Sequence, residues 1–164
     1  MALECVEVRS GWRDPQQATS DKEGRFTFEQ RVPDGTFRLI ALSETQDGQQ
    51  VVHGSALRAR GGEVDVALGP LGACGITGCL QCPDPLPALV RVQLVCTTPE
   101  LGTFHIQAQA RDGLFRVTGL PPGQLSADVS WPATSPLGEW RGRATVVVAA
   151  NRNVELTVPM QRAK

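Results

Sequence analysis

The chain has 164 residues, of which 41% are hydrophobic and 20% charged, and its formal net charge is −1. This composition excludes wholesale disorder, and the balance of 16 basic against 17 acidic residues argues against nucleic acid or an anionic membrane as a partner. No stretch approaches the roughly 20 apolar residues of a membrane span, and the first residues do not resemble a secretion signal. Seventeen glycines and 12 prolines indicate frequent tight turns, as in β proteins.

In the first half of the chain, alternating apolar and polar residues predict four strands. An Asp-Lys-Glu-Gly sequence that ends at Gly24 predicts a turn in which the acidic side chain bonds nearby backbone and the glycine takes a positive φ. A Pro-Asp-Gly sequence that ends at Gly35 predicts the next reversal. The four predicted strands are residues 3–8, 25–29, 37–41 and 63–68.

The second half repeats this pattern with one additional strand at its start, which a proline-rich reversal joins to the next strand. Asp112-Gly113 predicts a tight turn, after which Phe115 and Val117 alternate with polar residues and share one face. Pro121-Pro122-Gly123 predicts the following reversal. The predicted strands are residues 75–80, 89–95, 115–118, 125–129 and 153–158.

The two halves align at three anchors, with spacings of 89, 88 and 90 residues. The anchors are Gly24 with Gly113, Gly35 with Gly123, and Val64 with Val154. Near-constant spacing predicts two copies of one module, residues 1–69 and 70–164, with a short linker at the junction. Since no segment shows helical periodicity, we expect little or no helix.

The run of Asp-x-x-Gly-x-Phe, strand, Pro-x-Gly, strand and Val-x-Val-x-Leu, which the second half repeats with Asp-Gly-x-Phe and Val-x-Leu-x-Val, looks like the carboxypeptidase regulatory-like family. That resemblance implies a transthyretin-like, Ig-like antiparallel β-sandwich of about seven strands in two sheets. It covers residues 71–160 well and 3–68 less completely, because the first module lacks a counterpart of strand 75–80. We therefore expect either a segment cut from a longer tandem array or a strand supplied by another chain at this sheet edge.

Four of the five cysteines flank the proline-rich reversal, and three states are open to them. Extended strands would place Cys74 and Cys96 at one end of the sandwich, with Cys79 and Cys82 near the other, which allows disulfides within each pair in an oxidising compartment. Reduced thiols that act as small buried hydrophobes are the second reading. A zinc site of all four is disfavoured by the separation of the pairs, so no metal or other cofactor is expected.

Catalytic chemistry is not expected from the remaining residues. His53 and His105 lie in different modules without a nucleophile or acid at a catalytic spacing. The absence of tyrosine excludes the histidine and tyrosine sites of enzymes that resemble transthyretin. Trp12, Trp131 and Trp140 fall in or beside predicted loops, where they either form a binding platform or plug the ends of the sandwich.

The expected function is a non-catalytic structural or protein-interaction module that serves as a spacer, scaffold or docking surface in a larger protein or assembly. Its expected partner is another protein or a second copy, bound at the sheet edge of the first module. The alternative is a carbohydrate- or small-ligand-binding module that uses the loop tryptophans. The cysteines and the family resemblance favour the cell envelope or exterior for a fragment, whereas a native start at Met1 favours the cytoplasm.

Overall fold

The computed structural model describes residues 3–9, 16–27, 35–59, 66–131 and 138–163. Within these ranges all regular structure is β, in twelve strands and without a helix, which confirms the predicted all-β class. No helix that could cross a membrane occurs in the same ranges. Contacts divide the chain into two compact units, Met1–Gly72 and Ala73–Lys164.

The first unit is built around an antiparallel sheet of four strands in the order β2-β1-β3-β4, and β5 adds to β4 at His53 and Gly54. The longest ladder joins β3 to β4 over ten residue pairs. These strands are β1 (Leu3–Arg9), β2 (Gln16–Ala18), β3 (Gly35–Glu44), β4 (Gln50–Ala59) and β5 (Gly69–Pro70).

The second unit is a closed barrel of seven strands in the order β6-β9-β8-β7-β10-β11-β12, with β12 returning to β6. All neighbours are antiparallel except β12 and β6, which are parallel. The strands are β6 (Cys74–Gln81), β7 (Leu89–Thr98), β8 (Gly102–Arg111), β9 (Leu114–Leu120), β10 (Gly123–Trp131), β11 (Trp140–Val148) and β12 (Asn153–Arg162).

The ladders of this barrel differ greatly in length. Ten residue pairs join β7 to β8 and nine join β10 to β11. In contrast, three pairs join β11 to β12, and a single pair, Arg111 with Leu114, joins β8 to β9. The barrel therefore closes through two narrow seams, at each of which few residues are paired.

The barrel interior is filled by alternate residues of each strand, as period-two patterning requires. Phe104, Val92 and Leu94 are fully buried between their exposed or half-exposed neighbours. Phe115 and Val117 are also buried on one face of β9, which confirms that prediction. The core of this unit is thus almost wholly apolar.

Both predicted acidic turns are present. Gly24 has a φ of 85°, and the Asp21 carboxylate accepts a 2.8 Å hydrogen bond from the Arg25 N–H. Between β8 and β9, Asp112 and Gly113 have φ values of 49° and 78°, the left-handed pair that a two-residue hairpin turn requires. The local chemistry of these two turns was readable from the sequence.

The prediction of a strand immediately after Gly24 is wrong for residues 25–27, which are not in a strand. The physical reason is that both backbone groups of Arg25 are already bonded within the turn. The Arg25 carbonyl accepts a hydrogen bond from the Asp21 N–H, and the Arg25 N–H donates to the Asp21 carboxylate. Residues 28–34 lie outside the described ranges. Residues 60–65 also lie outside the described ranges. Residues 66–68, the described part of the predicted closing strand 63–68, are not in a strand.

Candidate functional site

A polar groove with a volume of about 810 Å³ lies on the outer face of the second unit, over β7, β10, β11 and β12. This volume is within the roughly 300–1,000 Å³ of typical ligand sites. Side chains that alternate with buried residues project outward, and strand register aligns them in two adjacent cross-strand rows. One row is Gln93, Asp128 and Arg143, and the other is Ser130, Arg141 and Gln161.

The charges in the groove are arranged as two ion pairs. The Arg143 Nε lies 3.1 Å from the Asp128 carboxylate and also donates to the Ser126 hydroxyl at 3.3 Å. The Arg141 guanidinium lies 2.5 Å from the Glu139 carboxylate. Two arginines and two carboxylates leave the groove without net charge. Because these pairs are partly exposed, they orient the side chains and contribute little to stability.

The tryptophans Trp131 and Trp140 form a cross-strand pair between β10 and β11. Their ring centroids are 6.3 Å apart, and the Arg162 guanidinium lies 5.4 Å from the Trp140 ring. With 9% and 3% exposure the pair is buried, so it closes this end of the barrel and offers no open stacking face. Trp131 contributes part of the groove wall. Trp12 lies outside the described residues.

The cysteines of the second unit occupy different environments, and all four are free in the structure. Cys74 and Cys96 are buried inside the barrel, whereas Cys79 is exposed and Cys82 half-buried. Burial raises the pKa of Cys96 to about 12, because the thiolate would lose its hydration. The disulfides between Cys74 and Cys96 and between Cys79 and Cys82 stay predictions.

The strand register separates these cysteines along the barrel. Cys74 pairs with Leu120 at the end of β9, and Cys79 pairs with Leu114 at its beginning. Cys96 pairs with Leu125, which follows the reversal after β9. Cys74 and Cys96 therefore lie toward one end of the barrel and Cys79 toward the other.

Neither histidine belongs to a catalytic arrangement among the described residues. His53 Nε2 lies 2.8 Å from the Ser43 hydroxyl, and its Nδ1 is buried without a hydrogen-bond partner in the described part of the chain. Burial lowers the pKa of His53. His105 is exposed on β8. No group of three histidine, cysteine, aspartate or glutamate residues in the described ranges could hold a metal ion.

A second notable feature is the open edge of β11. Its ladder with β12 ends at Gly142, while its ladder with β10 continues to Val148. The Glu139 carbonyl accepts a 3.0 Å hydrogen bond from the Ala163 N–H and so faces the β12 side of β11. Because backbone N–H and C=O groups alternate between the two sides of a strand, those of every second residue after Glu139 face the same side. From Arg143 onward, no described strand pairs with that side.

Comparison with known proteins gives no relative for this chain. No family model, curated protein or solved structure matches it. The function must therefore be inferred from the site chemistry described above.

Sequence reasoning missed both the groove and the open edge. The prediction contained no strands over β8 and β11, and only register places Asp128 beside Arg143 across two strands. The alternation of Arg141, Arg143 and Thr145 with smaller residues was an available signal for an outward face.

Proposed function

We propose that this chain is a non-catalytic structural and protein-interaction module that joins a second copy of itself by strand addition along β11. The open backbone edge over Arg143–Val148 is the observation that carries the proposal. An unpaired edge presents a row of N–H and C=O groups that another strand can satisfy. The edge contains no proline and a single charged residue, Arg143, and its Val147 is 73% accessible, so few of the usual devices that block pairing are present.

A second copy fits this edge because an antiparallel pair centred on Thr145 is self-complementary. That register places Thr145 opposite its own counterpart, a pair that favours strand association. It also places Arg143 of each copy opposite Val147 of the other. The two like charges are thereby kept apart, and the aliphatic stem of the arginine covers the exposed valine.

The proposed pairing is weak by its size. Five residues on each side, Arg143–Val147, held by about six main-chain hydrogen bonds, bury less than the roughly 1,200–2,000 Å² of a stable interface. We therefore expect a concentration-dependent equilibrium between monomer and dimer. Within a larger assembly, such an edge would act as a docking surface whose occupancy depends on local concentration.

We also propose that the two units are tandem copies of one module, each a two-sheet sandwich of the carboxypeptidase regulatory-like kind. The strand order β2-β1-β3-β4 in the first unit matches β8-β7-β10-β11 in the second, with antiparallel pairing throughout. The narrow seams between β11 and β12 and between β8 and β9 favour two sheets that meet at their corners. The first module's counterpart of strand 75–80 was predicted to be missing, which would leave a sheet edge open. The segments that would flank this edge lie outside the described residues, so the open edge of the first module stays a prediction.

The test is the solution mass of the chain by light scattering, measured over a range of protein concentrations in reducing buffer. Reduction removes dimers that are linked through the exposed Cys79. We expect the mass to rise from the monomer value of 17.6 kDa toward twice that value. Val147→Lys should shift the equilibrium to monomer, since it places a charge and a long side chain at the pairing edge.

Gln124→Lys is the matched control, because Gln124 lies opposite Val147 on the same outer row but on β10, which is paired on both sides. We expect this variant to dimerise like the parent chain. A monomer at all soluble concentrations would refute the proposal, as would an equal effect of the two lysine substitutions.

A further inference from the structure

We propose that the groove over β7, β10, β11 and β12 is a binding site for a neutral oligosaccharide. Its wall carries two guanidinium groups, two carboxylates and two side-chain amides, within hydrogen-bonding reach of a ligand laid along the two cross-strand rows. Each of these planar groups presents two polar atoms side by side. Adjacent hydroxyls of a sugar ring match such pairs, because a hydroxyl both donates and accepts.

The absence of net charge determines which ligands the groove favours. Arg143 is paired with Asp128, and Arg141 with Glu139, so an anion would have to displace a carboxylate from its arginine. A cation would have to displace an arginine from its carboxylate. A neutral polyhydroxyl ligand can instead add hydrogen bonds to the unused lone pairs and N–H groups of both ion pairs.

Three uncharged groups in the groove remain available to a ligand. The side chains of Gln93, Ser130 and Gln161 make no hydrogen bond with other described residues. They lie on three strands, β7, β10 and β12, and so span the width of the groove. A ligand that bonds both glutamines therefore has to extend across the face rather than along a single strand.

The site is also held in shape before a ligand binds. Gln93 and Asp128 are on strands that are paired on both sides, and the buried Trp131 and Trp140 lie beneath the adjoining row. Side chains fixed by such a sheet lose little conformational freedom on binding, which favours affinity. The proposed ligand site goes beyond the proposed strand addition, with which it shares Arg143 alone.

The experiment is an NMR titration of the isotopically labelled chain with a panel of neutral oligosaccharides, each matched by a uronic acid oligosaccharide of the same length. We expect at least one neutral member to shift the groove amides in a saturable way at up to millimolar concentration. Its uronic acid counterpart should bind more weakly. The protein is kept dilute in Val147→Lys form, so that loss of dimerisation cannot be confused with loss of ligand binding.

Gln93→Ala and Gln161→Ala should each weaken that binding by up to about tenfold, the usual worth of one or two hydrogen bonds. Gln124→Ala, on the same outer face but outside the groove, is the matched control and should bind like the parent chain. An unchanged near-ultraviolet spectrum of the tryptophan pair verifies folding. The proposal is overturned if no neutral oligosaccharide shifts the groove amides, or if Gln124→Ala weakens binding as much as the groove variants.

Discussion

Replacing Gly78 by alanine should destabilise the second unit, although glycine is normally the weaker strand residue. Gly78 lies opposite Phe115 on the neighbouring strand, and the phenyl ring covers it. A Cβ at this position would lie within 2.5 Å of three ring carbons. Since carbon atoms pack at about 3.5–4.0 Å, the ring would have to retreat by about 1 Å or more.

The ring has little room for such a movement. Phe115 is 3% exposed, and neighbouring Val117 is fully buried in the same core. Overpacking of this kind costs about 1–3 kcal/mol, and the lower chain entropy of alanine returns only about 0.5–1 kcal/mol. We expect a net loss of about 1–2 kcal/mol, which for a unit of this size lowers its Tm by roughly 5–15 °C.

The assay is thermal and urea unfolding followed by tryptophan fluorescence, in a Trp12→Phe background so that Trp131 and Trp140 report on the second unit alone. In chains that also carry Phe115→Leu, Gly78→Ala should cost almost nothing, because the overlapping ring carbons are gone. The reasoning is refuted if Gly78→Ala stabilises the parent chain, or if its cost is the same in both backgrounds.

Two predictions concern pH. Because the pKa of Cys96 is raised to about 12 in the fold from an ordinary 9.0, the folded state holds its proton while the unfolded state releases it. The free energy of unfolding should therefore fall by about 1.4 kcal/mol per pH unit between pH 9.0 and about 12, in a chain that has no tyrosine to titrate there. Cys96→Val should remove that slope in urea titrations, and a slope that survives unchanged would contradict the assignment. The pH dependence expected from His53 has the opposite sign. Because burial lowers the pKa of His53, the first unit should lose stability as pH falls below 6.5. His53→Gln should flatten the dependence of stability on pH below that value. Equal acid sensitivity of the variant and the parent would count against this cause.

The sequence was informative wherever the determining chemistry is local. Alternation along β9 placed Phe115 and Val117 on one buried face, and the Asp112-Gly113 turn followed from the backbone freedom of its residues. The same reasoning failed after Gly24, where the turn consumes the backbone groups that a strand would need. A local pattern shows that a strand is favourable but does not show what competes for its hydrogen bonds.

By itself, then, the sequence determined the all-β class, the inward and outward faces of the strands that it predicted, and the positions of the acidic turns. Only the tertiary structure decided which strands are neighbours, and this choice creates both proposed sites. Asp128 and Arg143 belong to one groove because β10 and β11 share a register, and Val147 lies on an open edge because β11 leaves β12 after Gly142. The same pairing buries Trp131 against Trp140, which the sequence placed in or beside loops. Strand neighbours are selected by the packing of residues far apart in the chain, and a period-two pattern is compatible with many such pairings.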